Sequence, residues 1–251
     1  MNSNYRMHCG EVWGGIEDAD QDLATAALDA SLFSRSTEGG KGGDMYYLSV
    51  CGADMLTRIA VADVTGHGKT VSDISSWVYK SLKQHLNQPE GDRLVHRLNN
   101  KVATRGIEAM TTMTVVGLIV KNGSLYFTYA GHPPMMIRRN TEKTWQPVTA
   151  LLKQKGCNLP LGVMADTCYI QNETRLESGD QLFIYTDGVW EAPSPEDEPF
   201  GMERLTGTLN HLSDASPAGL KRGVLDALGE HTHGNFDHDD MTLMAIQSHI
   251  D

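Results

Sequence analysis

Long apolar runs are missing from this 251-residue chain. None approaches the roughly 18–20 residues that cross a bilayer, and the polar N-terminus has no signal-peptide core. Cysteine is scarce: Cys9, Cys51, Cys157 and Cys168 show no CxxC spacing and no dense framework. That excludes a disulfide scaffold and a zinc ribbon, and it leads us to expect reduced thiols in a cytoplasmic protein. Basic side chains are also in short supply, 21 against 32 acidic, for a formal net charge of −11. A general binder of nucleic-acid backbones needs a positive face, so that class is excluded, and no membrane association is expected.

The shortage of basic residues is local. No Lys or Arg lies between Arg175 and Arg204, a stretch with eight acids, and none follows Arg222, where there are six more. The rest of the chain holds 18 acids against 21 bases. Two solvated acidic surfaces would account for this, and so would a cation site built from the C-terminal third. Composition does not choose between them.

With 40% hydrophobic residues the chain supports one sizeable core. Met45–Val50 and Leu56–Ala62 read as strands around a turn at Cys51-Gly52-Ala53-Asp54, with Asp63 closing the second. Gly66-His67-Gly68 opens a helix whose Val71, Ile74, Val78 and Leu82 recur at steps of three and four. A second amphipathic helix follows Asp92, with Leu94, Val95, Leu98 and Val102 inward. Residues 111–120 and 124–130 flank Asn122-Gly123, the preferred pair for a type I′ hairpin turn. Further strands are expected at 135–139, 145–149, 167–176, 181–186 and from Met241 to about Ser248, and helices at 201–212 and 217–231. With no internal repeat and no clear linker, this is one domain of mixed, mainly antiparallel α+β type. Residues 1–30, including Glu11-Val12-Trp13-Gly14-Gly15, carry no motif and are set apart as an unassigned N-terminal extension.

The aspartates are informative by position. In a hairpin centred near 53–54, opposed residues sum to about 107, so Asp44 and Asp63 face each other at its open end. Their Cβ atoms would lie roughly 4.5–5.5 Å apart, and two such carboxylates repel unless a cation or proton sits between them. Asp187-Gly188 follows an apolar strand, and Asp239-Asp240 precedes another. If those strands are antiparallel neighbours, a second carboxylate pair forms. Each Asp singly reads as a cap or turn residue. As a set they suit Mg²⁺ or Mn²⁺, hard cations that take oxygen ligands and support phosphoester hydrolysis.

Seven motifs then fall in order: Gly42-Gly43-Asp44, Asp63-Val64-Thr65-Gly66-His67-Gly68, Ala130-Gly131-His132-Pro133-Pro134, Leu161-Gly162-Val163, Thr186-Asp187-Gly188-Val189-Trp190-Glu191, Phe200-Gly201 and Asp239-Asp240-Met241-Thr242-Leu243. Together they resemble the bacterial branch of the metal-dependent protein phosphatases, the protein phosphatase 2C-like proteins typified by stage II sporulation protein E. The resemblance covers about residues 30–248 and implies a phosphatase domain over 31–251. The implied fold is a four-layer α-β-β-α sandwich, two mainly antiparallel sheets flanked by helices, with two Mn²⁺ or Mg²⁺ ions at one edge. By position, Asp63 would bridge both ions, Asp44 and the Val64 carbonyl would hold one, and Asp187 and Asp239 the other. A bridging hydroxide would attack phosphoserine or phosphothreonine on a protein directly. The implied substrate is a phosphorylated protein such as an anti-sigma-factor antagonist in a partner-switching pathway, with a regulatory partner or a homodimer carrying the signal.

Within the resemblance, Asp239 is chosen over Asp240 because the family's ligand is the first residue of its motif, with Asp237 as a further rival. Thr65 stands where Ser is common, and Met45-Tyr46-Tyr47-Leu48 lacks the second acid often found there. Arg35 is the candidate for a phosphate-binding arginine, set against a plain surface role. His67 and His132 are candidates for residues behind the ligands, set against hydrogen-bonded turn histidines. Three rival readings remain. Gly66-His67-Gly68-Lys69-Thr70 contains a P-loop Gly-Lys-Thr, but the required earlier glycine is Asp63. His231, His233 and His238 with Asp237 would suit zinc, without cysteines or an HExxH helix. The third is a phosphatase fold that docks a regulatory partner and has lost turnover.

Overall fold

The computed structural model describes residues 5–7, 10–14, 18–37, 42–51, 55–65, 69–85, 90–150 and 156–250. In chain order the elements are β1 (Tyr5–Arg6), β2 (Gly10–Gly14), β3 (Ala19–Ala24), β4 (Leu28–Arg35), β5 (Met45–Cys51), β6 (Leu56–Val64), α1 (Lys69–His85), α2 (Gly91–Ala103), a 3₁₀ turn at Ile107–Ala109, β7 (Thr111–Ile119), β8 (Ser124–Ala130), β9 (Met136–Arg138), β10 (Gln146–Pro147), β11 (Asn172–Arg175), β12 (Gln181–Tyr185), α3 (Asp187–Trp190), α4 (Gly201–His211), α5 (Pro217–His231) and β13 (Met241–Ser248). They form a seven-stranded sheet ordered β1-β3-β4-β13-β12-β9-β10 and a six-stranded sheet ordered β11-β8-β7-β6-β5-β2. The β1–β3 pair is parallel, and β5–β6 and β12–β13, which carry the site, are antiparallel.

Side-chain alternation along the strands builds the four layers. In β6, Ile59 and Val61 enter a core shared by the two sheets, while Ala60, Ala62 and Val64 pack toward α1 and α2. In β13, Met244 and Ile246 face the inter-sheet core, while Leu243 and Ala245 pack with Leu205, Leu220 and Val224 of α4 and α5. Strands buried on both faces read as continuous apolar runs, as these do. The helical faces expected after Asp63 and Asp92 are the buried ones: Val71, Val78 and Leu82 in α1, and Leu94, Val95, Leu98 and Val102 in α2.

Several local expectations need correction. Asp63 does not end its strand; β6 runs on to Val64, with Asp63 paired to Thr112. The 111–130 hairpin forms, but Ile119 pairs with Ser124, so four residues make the loop. Only Gly123 there has positive φ, at +69°. Val120 N–H is drawn to Met55 O, and Asn122 Oδ1 accepts from Ser124 N–H, which a two-residue type I′ turn would not permit. The strand expected at 167–176 shrinks to β11, because Asn158 diverts the backbone at Cys168 and Ile170 into a loop. The segments 135–139 and 145–149 shorten to β9 and β10.

The boundary expected at residue 30 falls inside β4, and β2 and β3 are hydrogen-bonded into the two sheets. Trp13 stacks on Tyr79 of α1 at 3.8 Å, and Glu11 accepts from Lys83 of the same helix. Buried Lys221 of α5 reaches Asp20 and Asp22 on β3. The residues at 52–54 and 66–68, including His67 and the P-loop glycines, lie outside the described set, as do the side chains of Lys69 and Thr70.

Candidate metal centre

The strand alternation that fills the inter-sheet core also supplies its polar end. Tyr46, Leu48 and Val50 of β5 face that core, so two residues earlier Asp44 points the same way. Ile59 and Val61 put Asp63 on the same face of β6. From the other sheet, Leu182 and Ile184 precede Thr186, Met244 follows Thr242, and Leu32 precedes Ser34. The hydrophobic core between the sheets therefore ends in a polar edge.

The hairpin register is the one expected. Met45 pairs with Ala62, which sets Asp44 opposite Asp63 one step beyond the last paired rung. Asp44 is 1% exposed. Its Oδ2 accepts from Thr186 Oγ1 at 2.8 Å, while its Oδ1 is buried with no hydrogen-bond partner among the described residues. Burial, and then the charge of Asp63, pushes its carboxyl well above the ordinary carboxylate range. The Asp63 carboxyl is pushed up to about 8, first by burial and then by Asp187, Asp239, Asp240 and Glu191.

The second pair also comes together. Tyr185 pairs with Leu243, so the end of β12 and the start of β13 lie side by side. Asp187 opens the short helix α3, where Gly188 lets the chain come against β13: a β-carbon there would run into the Asp240 carbonyl oxygen. Burial raises the Asp187 carboxyl; burial, then Asp187, raises that of Asp239. Glu191 is raised by burial and by the same two aspartates.

Asp239 and Asp240 point to different surroundings. Asp239 is partly buried, and its Oδ1 accepts from Asp240 N–H. Asp240 is buried and hydrogen-bonded to Thr37 and Gly43. Val64, the expected carbonyl ligand, is buried and donates its N–H to Gly43 O. Arg35 stands opposite Met241, bound to Asp237 at 3.0 Å and lying over the Phe236 ring. His132 is a buried turn residue bonded to Pro133 O. Of the residues considered for zinc, His231 bonds Glu198 O and His238 bonds Gly188 O.

Mutual repulsion, acceptor-only chemistry and a buried Asp44 oxygen with no partner among the described residues together fit a hard divalent cation. Among the described residues no three His, Cys, Asp or Glu side chains are gathered tightly enough to hold an ion by themselves. Ions here would complete their shells with water, as Mg²⁺ commonly does.

Sequence reasoning missed the hydroxyls behind the carboxylates. Thr186 Oγ1 also accepts from Thr242 N–H at 2.9 Å, and Ser34 Oγ bonds Thr242 Oγ1 at 2.9 Å. On the other side Ser75 of α1 donates to Gly43 O at 2.9 Å. The strand alternation held the signal for Thr186, Thr242 and Ser34; nothing local marked Ser75.

The stage II sporulation protein E (SpoIIE) family matches residues 53–249. Protein IcfG of Synechocystis is 31% identical over 173 residues, covering 66% of this chain and 24% of that protein. Phosphoserine phosphatase RsbU of Bacillus subtilis is 26% identical over 228 residues, covering 89% of this chain and 64% of that one. The chain thus spans about a quarter of IcfG and under two thirds of RsbU. The solved PP2C phosphatase domain of B. subtilis SpoIIE, with a fragment of its regulatory domain, superposes with a TM-score of 0.73 at 20% identity, over 88% of this chain and 63% of that one. RsbX in complex with magnesium superposes with a TM-score of 0.67 at 14% identity, over 92% of this chain and all of that one.

Proposed function

This chain belongs to the stage II sporulation protein E family, and from that premise we propose that it is a metal-dependent phosphatase acting on phosphoserine or phosphothreonine in a protein. The observation that carries this reading is the convergence of Asp44 and Asp63 from one sheet with Asp187 and Asp239 from the other, one buried oxygen of Asp44 having no partner among the described residues. Asp44, Asp63, the Val64 carbonyl, Asp187 and Asp239 would hold two Mn²⁺ or Mg²⁺ ions, with Asp63 shared. When bound, such ions make water acidic enough to act as a nucleophile near neutral pH and neutralise charge on a phosphoryl oxygen. The chain's own contribution is to orient the carboxylates: Thr186 fixes Asp44, and α3 presents Asp187 beside β13.

The substrate we propose is a phosphorylated regulatory protein of the partner-switching kind, such as an anti-sigma-factor antagonist, with control through a partner or a second copy. No helix among the described residues is long and apolar enough to cross a membrane. The scarcity of cysteine, four in 251 residues with no CxxC spacing, supports a reducing, cytoplasmic setting.

Purified protein should hydrolyse p-nitrophenyl phosphate and a phosphoserine protein with Mn²⁺, and Asp63→Asn or Asp187→Asn should abolish turnover. Wild-type protein that binds Mn²⁺ and turns over neither would instead make this fold a binding module for a regulatory partner.

A further inference from the structure

Asp240 sits beside a proposed ligand, yet both of its carboxylate oxygens are committed to protein donors. Oδ1 accepts from Thr37 N–H at 2.8 Å and from Thr37 Oγ1 at 3.2 Å. Oδ2 accepts from Gly43 N–H. The residue is 2% exposed. It presses so closely on the loop before β5 that a β-carbon on Gly42 would fall 2.7 Å from Oδ2. Gly43 is also held through its carbonyl, in the next peptide unit, which accepts from Ser75 Oγ and from Val64 N–H. Asp240 thus ties the start of β13, in the seven-stranded sheet, to the glycine loop that delivers Asp44 to the edge of the six-stranded one. Its backbone carbonyl meanwhile lies against Gly188, beside Asp187.

We infer that Asp240, next to the proposed ligand Asp239, is a positioning residue: its carboxylate gathers Thr37 and Gly43 and so sets Asp44 against Asp63. The chemistry requires a carboxylate. Three donors converge on two oxygens, and an amide would turn its own NH₂ toward one of them. Asp239 makes the complementary case: among the described residues its one hydrogen bond is to Oδ1, from the next backbone N–H, so Oδ2 is left open. The consequence for catalysis rests on the phosphatase reading. The placement of the loop does not.

Mn²⁺ titration by calorimetry and electron paramagnetic resonance, run on the full chain, separates the roles. Asp239→Asn should lose one bound equivalent that no excess of Mn²⁺ restores. Asp240→Asn should keep the wild-type number of ions at saturation but need about 10- to 100-fold more Mn²⁺ to bind them, the usual effect of losing a group that orients a ligand. Its activity toward p-nitrophenyl phosphate should recover at high Mn²⁺. Thr37→Val, a milder change, should shift the same curve in the same direction by less. Amide exchange in EDTA should show Gly43 N–H losing protection in Asp240→Asn, a readout that holds even if the wild type proves to bind no metal or to have no turnover. Loss of a bound ion in Asp240→Asn, or a wild-type Mn²⁺ curve with Gly43 still protected, would overturn the inference.

Discussion

Thr186 Oγ1 donates to Asp44 Oδ2 at 2.8 Å across the gap between the two sheets, joining residues 142 positions apart. The same hydroxyl accepts from Thr242 N–H. Thr186→Val keeps the shape and leaves a buried N–H and a buried carboxylate oxygen without partners. It should cost about 1–3 kcal/mol, read by urea unfolding in EDTA, and should weaken Mn²⁺ binding. Thr186→Ser keeps the hydroxyl and should lie close to wild type on both counts. Equal losses in the two variants would mean that packing of the methyl group, not the hydrogen bond, matters here.

In metal-free protein the raised carboxyls of Asp44, Asp63, Asp187 and Asp239 act in one direction. A folded carboxyl with a raised pKa holds a proton that the unfolded chain has released. Its stabilisation is therefore full below the ordinary carboxylate range and is lost as pH rises, for Asp63 up to about 8. Thermal melts in EDTA should show the cluster tilting the stability profile downward between about pH 4 and about pH 8, superposed on the opposite contribution of His132. Asp63→Asn should flatten that slope and melt higher than wild type at pH 8. Added Mn²⁺ should raise the wild-type melting temperature most at the alkaline end. A wild-type profile that runs parallel to that of Asp63→Asn over this range would contradict the strained cluster.

His132 gives the opposite slope. Burial pushes its imidazole down to about 4, so the folded protein keeps it neutral where the unfolded chain takes up a proton. Its stabilisation is present above about pH 6.5 and is lost as pH falls toward 4, up to about 3 kcal/mol in all. His132→Asn, measured against wild type by denaturant unfolding at pH 7 and pH 4.5, should show less acid sensitivity. The same acid loss in both proteins would place the cause elsewhere.

Where a rule with a fixed period applied, the sequence was enough. The period of two and a single turn position set Asp44 opposite Asp63, and the 45–62 pairing agrees. Spacings of three and four picked out the buried faces of α1 and α2. What stayed hidden depended on contacts distant in sequence. Nothing local tells Asp239 from Asp240, because Thr37 and Gly43, about 200 residues earlier, turn Asp240 inward. The first 30 residues looked featureless because their partners are elsewhere: Lys221 for Asp20 and Asp22, Tyr79 for Trp13.

That last pair makes a prediction about α1. Trp13 and Tyr79 stack with planes 12° apart, and Glu11 collects Lys83, Tyr47 and Tyr79. Trp13→Ala should cost about 0.5–1.5 kcal/mol beyond the area it uncovers. Amide exchange should increase in α1 before it does in α5. Uniform loss of protection would show that β2 stabilises the whole sandwich and not this helix in particular.

Two glycines separate close approach from helix propensity. Gly188 stands where a β-carbon would strike the Asp240 carbonyl oxygen, whereas a β-carbon on Gly207, exposed inside α4, would meet no heavy atom of the described residues within 4 Å beyond its own helix backbone and chain neighbours. Gly207→Ala adds a better helix former in open space and should stabilise by about 0.5–1 kcal/mol. Gly188→Ala cannot gain in this way, because backbone must move. It should cost about 1–3 kcal/mol and push Asp187 away from Asp239. Mn²⁺ affinity should therefore fall in Gly188→Ala while Gly207→Ala matches wild type. If both alanine variants bind Mn²⁺ alike, the closeness of α3 to β13 is not what brings the second carboxylate pair together.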